Sequence, residues 1–379
     1  MRHLTIDNLG PINGHFQMNL DPKLSILIGE QATGKSTIAR IVHYCLMYVG
    51  HEISDGLGCE PKPDITHFEA MQQYLRKNYD SGDVLFSEGN YEFRFNAKDG
   101  FVPKSNEDIL SALNTFEGAS ALYIPAGRSM IPLLFESYAA AKNIRVDPFF
   151  DQYLLFLDGL RKDSLVSMYD LLDNALKYSA LPVNEDTTKA AIILMENILK
   201  GRYHNENGEV RIIYDRKASV PLISASSGQQ EIIYILLSLL FVLLNPMDFT
   251  IVIEEPEAHI YPAAQKLFIE LLAHVINATN SRVIITTHSP YILTATNLLI
   301  HSAKVENRIK DKKSIVSPMA RIEPHNVNAI LLERNGKFSY RSIIDKKTGL
   351  ISAEEIDTVS EVIEKGMSDL VDLEVKHGL

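Results

Sequence analysis

The sequence predicts an α/β fold on a mixed sheet, entered through an N-terminal β-hairpin lobe and interrupted by a helical insertion. Three observations predict it. Leu24-Ser-Ile-Leu-Ile28 is an apolar, β-branched run of strand length. It feeds Gly29-Glu-Gln-Ala-Thr-Gly-Lys-Ser36, and Thr37 to Leu46 then has helical spacing. This is the pattern G-x-x-x-x-G-K-[ST] in a strand–loop–helix context. Second, Phe249-Thr-Ile-Val-Ile253 and Arg282-Val-Ile-Ile-Thr286 are buried-type strands that run into polar residues, where parallel α/β sheets bind ligands. Third, the stretch from about 131 to 200 is helical throughout, and strand–helix alternation resumes beyond it.

Taken in order, His3–Asp7 and His15–Leu20 alternate apolar and polar residues around the turn Asn8–Gly14, a hairpin pattern. The helix after the glycine loop is expected to end near Tyr48. Gly58, Pro61 and Pro63 mark Gly50–Asp64 as a loop. Ile65–Asn78 has helical spacing, and Tyr91–Phe95 alternates as a strand. Ser105–Asp108 reads as a capping box opening a helix over Ile109–Phe116. Ala121–Ile124 is a short strand ending in Pro125-Ala-Gly-Arg-Ser129. Within the insertion, Phe150, Tyr153, Leu154 and Leu157 share one helical face, and Leu165, Met168, Tyr169, Leu172 and Leu176 another. Gly201–His204 and Val210–Tyr214 flank a turn at Asn205–Gly208. Pro262–Ala278 reads as a helix, Asn335-Gly336 as a hairpin turn, and 353–373 as a closing helix. The whole of 1–379 is expected to form one domain, with the insertion inside it.

The glycine loop carries the first chemistry. Gly29 and Gly34 permit the tight fold that aims backbone N–H groups at a phosphate chain. Residues Gly29, Glu30, Gln31, Ala32, Thr33, Gly34, Lys35, Ser36 and Thr37 are therefore the candidate nucleotide-binding set, which the resemblance described below makes an ATP-binding set. Lys35 would reach the β/γ-phosphates, Ser36 would place its hydroxyl on Mg²⁺, and the helix N-terminus adds its positive dipole end. Glu254 and Glu255, at the end of an apolar strand, suit a metal contact and a water-orienting base respectively. His288, at the next strand end, could donate to the γ-phosphate. Ser226-Ser-Gly-Gln229 precedes a long apolar helix, so hydroxyls and free N–H groups converge there as a second anion site. A chain whose own loop already holds the phosphates has most use for such a second loop on the nucleotide of another copy.

The totals narrow the class. At 379 residues and 46% hydrophobic content, the chain can bury a large core. A net charge of −11 argues against a broadly nucleic-acid-coated surface, although it leaves room for a local basic groove. Cys45 and Cys59 make neither a disulfide framework nor a zinc spacing, which fits a cytoplasmic setting. The N-terminus has no apolar signal core. The apolar run Ile232–Met247 is short of the roughly 20 residues a membrane span needs, so it is expected as a buried helix and no membrane partner is expected.

The ordered set Gly29–Ser36, Ser226–Gln229, Ile251-Val-Ile-Glu-Glu255 and Thr287-His288 resembles the ABC-type ATPase heads. More closely it is similar to the branch (AAA-15 and AAA-21 types) that holds the OLD-family (overcoming lysogenization defect) ATPase domains, with RecF-like and chromosome-maintenance proteins. Ile253-Glu-Glu-Pro-Glu-Ala-His-Ile-Tyr-Pro262, Tyr123-Ile-Pro-Ala-Gly-Arg128, Ser226-Ser-Gly-Gln-Gln-Glu231 and the tail from Asn335-Gly to Thr348-Gly-Leu-Ile-Ser carry that closer likeness. The resemblance implies a P-loop NTPase fold of the ABC kind, with ATP and Mg²⁺ as cofactors. It implies Lys35 and Ser36 as Walker A ligands, Glu255 as catalytic carboxylate and His288 as switch histidine. Ser226, Ser227, Gly228 and Gln229 become the signature that grips the partner subunit's γ-phosphate. Two departures stand out: Glu254 replaces the commoner Asp on the metal side, and Ser227 replaces the first signature glycine. The sequence places no Q-loop glutamine, and Arg128, close to that position, is a candidate for a γ-phosphate contact or for linking the insertion.

The resulting expectation is an Mg²⁺-dependent ATPase that dimerises head to tail around ATP and drives an effector partner, such as a nuclease or toxin in genome defence or repair. Full OLD nucleases append a Toprim domain; the residues after His288 hold no D-x-D, so none is expected here. Two alternatives stay open at this stage: an ATP-bound scaffold that does not hydrolyse, and an ATPase acting directly on DNA.

Overall fold

The structure, a computed structural model, describes residues 2–57, 65–89, 91–99, 104–105, 120–136, 146–162, 166–206, 208–215, 218–306, 314–352, 365–368 and 370. Strands β1 (Arg2–Leu9) and β2 (Ile12–Asn19) form the expected hairpin, and β3 (Leu24–Gly29) leads through the glycine loop into helix α1 (Lys35–Leu57). Helix α2 (Ile65–Asn78) is followed by β4 (Asp83–Glu88), β5 (Tyr91–Asn96), β6 (Lys104–Ser105) and β7 (Ser120–Ile124). The insertion contributes α3 (Ile131–Glu136), α4 (Pro148–Lys162), α5 (Met168–Tyr178) and α6 (Glu185–Leu199). A three-stranded antiparallel sheet follows, of β8 (Arg202–Glu206), β9 (Glu209–Ile213) and β10 (Ser219–Pro221). The chain continues with α7 (Ser227–Leu244), β11 (Phe249–Glu254), α8 (Pro262–Ala278), β12 (Arg282–Thr287) and α9 (Pro290–Glu306), and then with the hairpin β13 (Val327–Asn335) and β14 (Lys337–Ser342).

The main sheet has the order β14-β13-β3-β12-β11-β7, parallel throughout except for β14. Successive side chains of a strand point to opposite faces, and here they enter two separate cores. Leu24, Ile26, Ile28, Ile251, Ile253, Val283 and Ile285 face one core, shared with α7, α8 and the insertion helices. Leu27, Val252, Ile284, Ile330 and Leu332 face the other, shared with α1, α2 and the five-stranded antiparallel sheet β2-β1-β4-β5-β6. A sheet covered on both faces explains why its strands read as unbroken apolar runs. The apolar run 232–247 lies in α7, whose residues Ile232, Ile233, Ile235, Leu236, Leu239 and Leu240 are all buried.

Some expectations change. α1 runs to Leu57 instead of ending near Tyr48, because no proline interrupts it before Pro61 and an isolated glycine such as Gly50 only weakens a helix. The rest of the expected loop, 58–64, lies outside the described residues, as does the expected helix 109–116; Ser105 itself pairs with Phe93 in β6. On α5 the buried face is Met168 and Leu172 with Leu171 and Ala175 beside them, whereas Tyr169 and Leu176 are 37% and 41% exposed. α5 packs against α6 and α7, and that contact rotates its inner face away from the stripe in the sequence. Leu165 and most of 353–373 lie outside the described residues; 365–368 and 370 are helical.

Candidate active site

Three parallel strands bring their carboxyl ends to one level. In register, Ile28 of β3 lies opposite Thr287 of β12, and Thr286 lies opposite Glu254 of β11. β12 therefore separates the glycine-loop strand from the strand that carries the acidic pair. Above these ends is a cavity of about 300 Å³ lined by Pro11, Gln31, Ala32, Gly34, Lys35, Ser36, Thr37, Glu255, His288 and Arg334.

The loop backbone is built for close approach. Gly29 has φ 155°, and a Cβ there would stand 2.2 Å from the carbonyl oxygen of Leu332 on β13, so only glycine lets the two strands meet. Gly34, at φ 100°, lies against Ile12 of the N-terminal hairpin, whose turn residue Pro11 forms one wall of the cavity. Thr33 is buried and spends its hydroxyl on the carbonyl of Glu30 at 2.9 Å. Lys35 is only 5% exposed, and its Nζ donates to the carbonyls of Gly29 (2.8 Å) and Glu30 (2.7 Å). Burial lowers its pKa below the usual lysine value, while Glu255, Glu257 and Glu254 act in the opposite direction. Thr37 accepts from the hydroxyl of Tyr79 at 3.3 Å, which ties the start of α1 to the end of α2.

The acidic side has three carboxylates in distinct settings. Glu254 is 3% exposed; its Oε2 accepts weakly from the N–H of Ala126 at 3.4 Å, and its Oε1 is buried with no hydrogen-bond partner. A buried carboxylate oxygen left unpaired is costly unless a cation or donor reaches it. Ser36 lines the cavity, and a Ser36 hydroxyl together with the Glu254 carboxylate is a hard-oxygen donor set, which fits Mg²⁺. Glu255 adopts φ 42°, a left-handed conformation that a non-glycine residue holds only at some cost. Its N–H donates to the carbonyl of Thr286 at 3.0 Å, and its Oε1 lies 3.3 Å from His288 Nε2. Glu257 accepts from the Thr287 hydroxyl and from the N–H of His288, both at 2.7 Å, and so fixes the turn that presents His288.

Lys35, Ser36, Glu255 and His288 thus meet around one cavity, with Glu254 buried behind it. Glu30 and Thr33 serve the loop's own fold. Ser226–Gln229 do not line the cavity. Ser226 is the N-cap of α7 and forms a capping box with Gln229, whose side chain also donates to Leu199. Gly228 packs against the loop after the acidic pair: a Cβ there would stand 2.5 Å from the carbonyl oxygen of His259. Arg128 is fully buried and does not line the cavity; its guanidinium points at the backbone carbonyls of Pro125, Glu254 and Glu255 and at Glu231 of α7, and none of these partners belongs to the insertion. Two site residues had no role from sequence. Glu257 was visible in Glu-Glu-Pro-Glu, but its partners are set by the fold. Arg334 reaches the cavity only through the β13–β3 register, where its Nη1 lies 3.4 Å from the carbonyl of Ala32.

A larger cavity, of about 400 Å³, lies between α7 and the insertion helices and is lined mainly by apolar side chains such as Leu157, Leu171, Leu237 and Phe241. It gathers none of the groups described above, and the chemistry belongs to the smaller one.

This arrangement defines the class: a P-loop ATPase fold whose acidic pair and histidine stand at the ends of neighbouring strands. Residues 161–293 match the family model AAA_15, described as an AAA ATPase domain. The matched segment holds Ser226–Gln229, Glu254, Glu255 and His288, while the glycine loop lies outside it and supports the same class independently. Both agree with the resemblance to ABC-type ATPase heads found in the sequence. No curated protein matches the chain. Among solved structures, an Smc head bound to the C-winged helix domain of ScpA has 11% identity and a TM-score of 0.48, covering 91% of this chain and 98% of that one. The SMC head domain from Thermotoga maritima has 11% identity and a TM-score of 0.42, covering 90% and 98%. An Smc head with an extended coiled coil, bound to the C-terminal domain of ScpA derived from Pyrococcus furiosus, has 11% identity and a TM-score of 0.44, covering 96% and 100%.

Proposed function

We propose that the chain is an Mg²⁺-dependent ATPase that dimerises head to tail around ATP and uses the cycle to drive an effector protein. The observation that carries the hydrolytic reading is the cavity where Lys35, Ser36, Glu255 and His288 converge over the unpaired Glu254 oxygen. Bound Mg²⁺ would clamp phosphate oxygens and offset their charge. Around it, the loop N–H groups and the α1 N-terminus bind the phosphate chain. Lys35 exchanges its two carbonyl partners for phosphate oxygens. Glu255 orients the attacking water and takes its proton, and His288, held by Glu257, donates to the γ-phosphate.

The dimeric reading rests on Ser226–Gln229. Among the described residues, no partner takes the N–H groups of Ser227 and Gly228, and both serines are exposed. In a head-to-tail pair, this loop would close the cavity of the other copy. The effector, such as a nuclease or toxin in genome defence or repair, follows from family analogy.

Purified Glu255→Gln is expected to bind ATP and accumulate it unhydrolysed. If it fails to bind, or hydrolyses like wild type, Glu255 is not the catalytic carboxylate. Phosphate release by wild type at the level of Lys35→Ala would favour a non-hydrolysing scaffold instead.

A further inference from the structure

Arg128 does not line the nucleotide cavity, yet its fully buried guanidinium joins two elements with different tasks. On one side Nη1 donates to the carbonyls of Pro125 and of Glu254, the latter at 2.7 Å, and Nη2 donates to the carbonyl of Glu255 at 3.0 Å. On the other side Nε donates to the backbone carbonyl of Glu231 at 3.2 Å and lies 3.3 Å from its Oε2. The Glu231 carboxylate in turn accepts from the N–H groups of Arg128 (3.1 Å) and Ser129 (3.0 Å). Glu231 stands in the second turn of α7, the helix capped by Ser226.

We propose that Arg128 is a positioning residue that couples the two half-sites of one subunit. It ties the Glu254–Glu255 backbone at that subunit's own nucleotide to the signature loop that faces the nucleotide of the partner. The proposal rests on the reading of Ser226–Gln229 as acting in trans. Its physical basis is the planar fork of five donors, whose rigid geometry holds carbonyls of both elements at once. Arg128 and Glu231 are both buried, at 0% and 3% exposed, so water does not compete for the contact between them. In a close-packed interior, a displacement at Glu255 passes to α7. The contact of Gly228 with the His259 carbonyl gives the signature turn a second point of contact with the same loop.

The test is hydrogen exchange of the 226–234 amides with and without Mg-ATP, at concentrations where the protein stays monomeric. It compares wild type with Arg128→Lys and Glu231→Gln, the latter keeping one carbonyl oxygen for the Arg128 or Ser129 N–H. ATP is expected to slow exchange over 226–234 in wild type by about fivefold or more. The variants are expected to bind ATP with wild-type affinity and to show no such slowing. The coupling is overturned if wild type binds ATP with no change at 226–234, or if the variants keep the full change. It is also overturned if they lose ATP affinity while exchange rises across the whole chain, the signature of a merely structural role. If Arg128→Lys does not fold, Glu231→Gln alone decides. Wild type that binds no ATP would refute the nucleotide reading itself.

Discussion

The loops Gly29–Ser36 and Ser226–Gln229 both gather hydroxyl and N–H groups at a helix start, but they differ in how much of a site each possesses. The first sits in a cavity with a buried lysine, two facing side chains from other strands and an unpaired carboxylate oxygen behind. In the second, Ser226 and Ser227 are exposed, the cap is satisfied internally by Gln229, and the loop lines neither of the two cavities described above. One loop lines a cavity; the hydroxyls of the other lie on the surface, as the proposed contact with a second copy requires. Substitutions on the two sides should therefore fail in different ways.

The largest effect is expected for Glu255→Gln. Hydrolysis should fall by about 10²–10⁴-fold with ATP binding intact, measured by phosphate release beside equilibrium binding. Lys35→Ala should reduce hydrolysis by about 10²–10³-fold and weaken binding as well, because the charge that meets the phosphates is lost. On the other side, Ser226→Arg should leave nucleotide affinity unchanged and remove ATP-dependent association, read by gel filtration with light scattering. Unchanged association would break the contrast. The smallest effect is on stability. Gly228→Ala drives a Cβ into the His259 carbonyl and should cost about 1–3 kcal/mol, read as a lowered denaturation midpoint.

How much of this could be read in advance depended on whether the information was local. β11, β12 and the glycine loop were legible because strands buried on both faces are continuous apolar runs, and the loop motif needs only its neighbours. β4 was not: Asp-Val-Leu-Phe-Ser-Glu has a weak alternation, and its place between β1 and β5 is fixed by pairing across the antiparallel sheet. The inner face of α5 was misplaced for the same reason, since α6 and α7 choose it. In the site, Lys35 was marked by the glycine-loop motif, and Glu255 and His288 by their places just after strands β11 and β12. Arg334 depended on the register of Leu332 with Gly29, and the contact of Arg128 with Glu231 depended on how α7 packs against the strand ends. Neither is written in spacing.

The central claim, that each complete site combines the glycine loop of one copy with the signature of another, is tested most directly by mixing two inactive variants. Lys35→Ala and Ser226→Arg are each expected to hydrolyse ATP poorly alone. Mixed, they can form a dimer in which an intact glycine loop faces an intact signature, and phosphate release should rise above the sum of the separate samples. If the mixture stays at that sum while both proteins are folded and Ser226→Arg binds ATP, the signature does not act in trans.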